Sequence, residues 1–91
     1  MPAFMIVQVT ISNEEAYAAY RDAVVPLIGK FGGKSVRSGK AERLEGDAGG
    51  IALFEFPSLA AIHSFWNSDE YVPVKELRRG AAKLDIWAVP A

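Results

Sequence analysis

Residues 4–11 sort by parity into one wholly apolar set and one mixed set. Met5, Val7, Val9 and Ile11 fall on one side and Phe4, Ile6, Gln8 and Thr10 on the other, the two-residue period of a β-strand. The first face is wholly apolar and has to meet a core. The second is mixed, and such a face meets something wet or shared. Any fold for this chain must therefore cover one side of its first strand fully and the other in part.

With 91 residues the chain makes one domain, residues 1–91. A chain of this size buries only roughly 60–70% of its unfolded surface, so dimerisation is a sensible supplement. Its 51% apolar and 23% charged residues are a globular balance, not a disordered one. The absence of Cys excludes disulfide scaffolds, thiolate zinc sites and cysteine nucleophiles, and one His is too few for a multi-histidine metal site. No metal and no cofactor is expected. A net charge of −1 argues against a nucleic-acid partner. The apolar start has no basic lead and is broken by Gln8 and Thr10, so no membrane span or signal peptide is expected and the default location is cytoplasmic.

Helix signals follow. Ser12 with Glu15 three residues on reads as a capping box, and Tyr17, Tyr20, Val24, Leu27, Ile28 and Phe31 form one apolar stripe. Pro26 lies opposite that stripe, and Gly32-Gly33 supplies a left-handed stop. Residues 34–37 and 41–45 read as an irregular strand broken near Ser38-Gly39, and Asp47-Ala48-Gly49-Gly50 as a turn. Ile51 to Phe56 is a clear strand ended by Pro57. Ser58 caps a short helix with Leu59, Ile62 and Trp66 on its apolar stripe and His63 at the stripe's edge. Pro73 opens a further helix in which Val74, Leu77 and Ala81 share a face bordered by Arg78, and residues 84–89 form a last strand.

The order β-α-β-β-α-β is the split, ferredoxin-like arrangement of the α+β class, an antiparallel sheet with its helices on one face. Its other face carries Ile6, Ile51 and Leu53 beside Gln8, Thr10 and Glu55. A homodimer that stacks two such sheets removes the apolar patch from water.

The segments Ala16-Tyr17 with Tyr20, Phe31-Gly32-Gly33, Leu44-Glu45-Gly46, Glu55-Phe56-Pro57-Ser58, Trp66, Ser68-Asp69-Glu70-Tyr71 and Arg78 occur in that order. Together they resemble the domain of unknown function 1330 family, within the dimeric α/β-barrel superfamily. The resemblance implies a ferredoxin-like subunit paired through its sheet into a barrel, with any pocket inside one subunit between sheet and helices. It implies no activity. The wider superfamily spans cofactor-free monooxygenases, haem-degrading enzymes, small isomerases and stress-related proteins, a spread from which fold alone selects nothing.

Tyr20, Trp66 and Tyr71 have the ring area and polar tips to line a pocket for a planar ligand, against the plainer reading that Tyr20 and Trp66 are core. His63 is the first candidate for acid–base work or haem ligation, against the plainer reading of a surface histidine. Arg78 could hold a carboxylate or phenolate, although a structural ion pair with Glu70, Glu76 or Glu45 is the favoured reading. Glu45 and Glu55 would serve as bases only if buried. The basic run Lys30, Lys34, Arg37, Lys40 and Arg43 has no interleaved aromatics between Lys34 and Arg43 and reads as solvated charge. The expected ligand site is thus Tyr20, His63, Trp66, Tyr71 and Arg78. Three functions compete: small-molecule binding, cofactor-free oxygenase- or isomerase-like catalysis, and a structural dimer packed solid at those residues.

Overall fold

The computed structural model describes residues 1–36, 41–47 and 49–91. Four strands pair antiparallel in the order β2-β3-β1-β4. They are β1 (Ala3–Ile11), β2 (Lys34–Ser35), β3 (Gly50–Phe56) and β4 (Ala82–Pro90). Helix α1 (Glu14–Lys30) joins β1 to β2, while α2 (Leu59–Trp66) and the single-turn α3 (Tyr71–Glu76) join β3 to β4. This is the α+β ferredoxin-like topology expected from the sequence.

The alternation in β1 does what its period demands. Ala3, Met5, Val7 and Val9 are buried under the helices with Phe56, Ile62, Phe65 and Tyr71. On the opposite face Ile6 stands between Leu53 of β3 and Trp87 of β4, and Phe4 between Glu55 and Val89. Ile51 and Trp87 there are about half exposed, at 46% and 50%.

Several local expectations shift, each for a physical reason. The cap of α1 is Asn13, whose side chain accepts from the Ala16 amide at 3.1 Å. Ser12 is diverted, because its hydroxyl donates to the Ala81 carbonyl at 3.0 Å and ties the end of β1 to the start of β4. Residues 41–45 form no strand: Leu44, the one large apolar side chain there, is 91% exposed and has nothing to dock on. Arg37 to Lys40 and Ala48 lie outside the described residues. Helix α3 begins at Tyr71 instead of Pro73, with Pro73 in the first turn where its missing N–H costs nothing. Leu77 lies beyond that helix and is 44% exposed, so the expected Val74–Leu77–Ala81 face does not form.

The stop of α1 is as expected. Gly32 takes φ +87, a backbone that side chains avoid, and Gly33 is wedged so closely that an added Cβ would lie 2.5 Å from Ile28 Cγ2 and 2.7 Å from Phe56 Cζ. The chain can thus turn from α1 into β2 directly over the core. Helix α2 lies close over β1 and β4, whereas α1 keeps further from the strands and packs chiefly on α3. Tyr17 and Tyr20, large side chains on the inner stripe of α1, occupy the separation.

Candidate functional site

A cavity of about 280 Å³ lies where α1 stands off the sheet. Its floor is the helix-side face of three strands: Met5 and Val7 of β1, Ala52 and Phe54 of β3, Leu84 and Ile86 of β4. Tyr17, Tyr20, Val24 and Ile28 of α1 form the roof, and Phe65, Trp66 and Tyr71 close the far wall. Arg21, Val25, Gly33, Lys34 and Ser35 complete the lining, with Arg21, Val25 and Ser35 exposed where α1 meets β2. In the sheet register Lys34 lies opposite Glu55, on the open face, and Ser35 opposite Phe54, on the cavity face.

The deepest polar feature is a pair of phenols. The Tyr20 and Tyr71 hydroxyls are 3.0 Å apart, and both residues are buried. Tyr20 comes from the α1 stripe. Tyr71 is held by the loop before α3, where its amide donates to the Ser68 hydroxyl at 3.2 Å. Rings continue outward, Tyr71 packing on Phe65 at 4.7 Å and on Trp66 at 5.3 Å between centroids. Burial pushes the Tyr20 phenol far above its ordinary range, its hydrogen bond to Tyr71 adds to this, and the Arg78 charge pulls the other way more weakly. Tyr17 is raised as well, chiefly by burial and against the charges of Arg21 and Arg78.

The five expected site residues do not gather at one place. Tyr20, Trp66 and Tyr71 line the cavity together. His63 faces a second cavity, also about 280 Å³, bounded by Met5, Ile62, Trp66, Ile86 and Ala88 on the other side of Trp66. His63 itself is exposed on α2. Arg78 lines neither; its guanidinium carbon lies 5.5 Å from the Tyr20 ring centroid, so it acts on the phenol pair through the ring. The favoured ion pair of Arg78 does not form. Glu70 instead pairs with Lys30 at 2.5 Å and Glu76 with Arg79 at 2.7 Å, while the Arg78 Nε is buried without a partner among the described residues. Glu45 is exposed, and Glu55 lies on the open sheet face, so neither meets the burial condition for a base in the cavity.

The sequence reading missed Phe65, which is 1% exposed and part of the wall, while Trp66 is 36% exposed. In α2 apolar side chains surround most of the helix, and the Ile62–Phe65 spacing of three competes with Ile62–Trp66. It also passed over Arg21, one turn beyond Tyr17, with its guanidinium carbon 5.7 Å from that ring. The i, i+4 relation to a stripe tyrosine was the available signal. Among the described residues no three His, Asp or Glu side chains gather as a metal site, and no helix is long and apolar enough to cross a membrane.

The family model "domain of unknown function (DUF1330)" matches residues 2–91. Similar solved structures include the protein of unknown function RPA0582 from Rhodopseudomonas palustris, at 24% identity and a TM-score of 0.79, covering 99% of this chain and 82% of that one. A dimeric protein of unknown function with a ferredoxin-like fold from Bacteroides fragilis matches at 11% identity and a TM-score of 0.69, covering 99% and 96%. SnoaB, a cofactor-independent oxygenase from Streptomyces nogalater, matches at 12% identity and a TM-score of 0.65, covering 99% and 92%. At these identities the likeness is one of fold. No curated protein matches the sequence.

Proposed function

The chain belongs to the DUF1330 family, and from that premise and the site's geometry we propose that it is a homodimer in which each subunit holds a small apolar or aromatic molecule between sheet and helices. The observation that carries this reading is the cavity itself. Protein cores are close-packed, with few voids larger than a water molecule. A space of about 280 Å³ with an aromatic wall and a buried phenol pair supports a site for a ligand more than a solid structural core.

The dimer rests on the open sheet face. Phe4, Ile6, Leu53, Trp87 and Val89 form a contiguous apolar patch across β3, β1 and β4, rimmed by Glu55, Lys83 and Asp85. Stacking a second sheet on that patch removes it from water. The Bacteroides fragilis neighbour, described as dimeric, is in keeping with it.

A second reading, cofactor-free oxygenase- or isomerase-like catalysis, draws on the SnoaB likeness and on the phenol pair. A buried O–H donor with the Arg78 charge behind the ring would stabilise negative charge developing on a substrate oxygen. The cavity lining includes no carboxylate or imidazole among the described residues to take the substrate's proton, which favours binding over turnover.

Native mass spectrometry of gently purified protein tests both halves of the proposal. The expected spectrum is a dimer carrying a non-covalent small-molecule adduct. A monomer at micromolar concentration overturns the dimer. A bare dimer that takes up none of a panel of aromatic compounds overturns the ligand site.

A further inference from the structure

The polar groups around the cavity are unbalanced in one direction. Two phenols share a single hydrogen bond, so one of their two O–H protons has no acceptor among the described protein groups. Trp66 adds an indole N–H and Arg21 a guanidinium, both donors only. Against these the side-chain acceptors of the lining, among the described residues, are hydroxyl oxygens of Tyr17, Tyr20, Tyr71 and Ser35, with no Asp, Glu, Asn, Gln or His. Charge is unbalanced in the same sense. Among the described residues Arg21 forms no ion pair, and Arg78, also without one, adds its positive charge behind the Tyr20 ring. A wholly apolar ligand would leave the spare O–H of the buried Tyr20–Tyr71 pair unanswered, where an unsatisfied polar group is costly, and would make no use of the charge at the rim.

Resting on the reading that the cavity holds a ligand, we propose that this ligand is a small aromatic carboxylate. Its ring lies against Phe54 and Phe65, and its carboxylate lies toward the rim beside the Tyr17 side chain, with Arg21 supplying the charge. Arg21 is the specificity-determining residue in this arrangement. It sits on α1 one turn from Tyr17, exposed at the rim, where a guanidinium fork can meet two carboxylate oxygens while remaining hydrated until a ligand arrives.

The test is calorimetric titration of the intact protein with 2-naphthoate and with 2-naphthamide, which has nearly the same shape and no charge. The expected result is about tenfold tighter binding of the naphthoate, the factor that corresponds to ~1.4 kcal/mol. Arg21→Met, an exposed substitution, should lower naphthoate affinity about tenfold, to the level of the naphthamide, and lower naphthamide affinity by much less. Ala52→Phe, which fills the cavity floor, should abolish both while circular dichroism stays that of the folded protein. Equal binding of the two compounds overturns the carboxylate inference and leaves the ligand site standing. A naphthoate preference that survives Arg21→Met overturns the role of Arg21. Failure of both compounds to bind overturns the ligand-site reading, and this inference with it.

Discussion

The Tyr20 and Tyr71 hydroxyls meet at 3.0 Å although their residues are 51 positions apart, and both are shut away from solvent. That contact locks α1 to the loop that opens α3 and sets the wall of the cavity. It is the one buried hydrogen bond between side chains among the described residues.

Removing either hydroxyl tests its weight. Tyr20→Phe and Tyr71→Phe should each cost about 1–2 kcal/mol, since each leaves the remaining buried phenol without its partner. The double variant should cost less than the two singles summed, by about 0.5–1.5 kcal/mol. Urea denaturation of the four proteins gives the cycle, and strict additivity would mean the contact contributes nothing.

Alkaline pH should destabilise the fold through the same residues. Tyr17 and Tyr20 both have folded pKa values raised above the unfolded value of 10.0, Tyr20 the more strongly. The folded state therefore holds protons that the unfolded state releases, so stability is intact below pH 10.0 and falls as pH climbs past it. Urea midpoints measured from neutral pH to above 10 should decline only at the alkaline end. Tyr20→Phe should flatten that decline, and an unchanged slope would remove Tyr20 from the linkage.

The open sheet face should respond to charge. Trp87→Glu places a carboxylate beside Ile6 at the centre of the apolar patch. Sedimentation velocity should then report a monomer with native secondary structure, because an unpaired charge buried between two sheets costs several kcal/mol. A variant that still sediments as a dimer would mean the interface lies elsewhere.

Gly33→Ala should destabilise the fold by about 1–3 kcal/mol, the range of an overpacked core. The new methyl would lie 2.5 Å from Ile28 Cγ2 and 2.7 Å from Phe56 Cζ, both on buried side chains that would have to shift. Thermal melting gives the measurement. Gly29→Ala, with open space at the same atom, is the internal control and should not be destabilised by crowding.

His63→Ala should leave ligand affinity in the main cavity within about twofold, well under 1.4 kcal/mol. His63 lies across Trp66 from that cavity and touches only the second one. A larger loss of affinity would mean the two spaces act as one site.

The sequence by itself determined the fold and three of the five residues expected at the candidate site, Tyr20, Trp66 and Tyr71, which line one cavity. Alternation in residues 3–11 and 50–56 gives the faces of the central strands, because a pleated strand has no choice about which side each residue takes. The 3.6-residue stripe on α1 places Tyr17 and Tyr20 inward for the same reason. What only the tertiary structure decided are relations between separate elements. Tyr71 reaches Tyr20 because the Ser68 turn aims it under α1, and Arg78 forms no ion pair among the described residues, Glu70 being held by Lys30 and Glu76 by Arg79. Helix period also failed to choose between Phe65 and Trp66, since both are apolar and adjacent, and only the approach of α2 to the sheet buries one of them. Local geometry fixes a side chain's direction along its own element. The distance at which that element stands from its neighbours, and so whether space is left for a ligand, depends on every side chain packed between them.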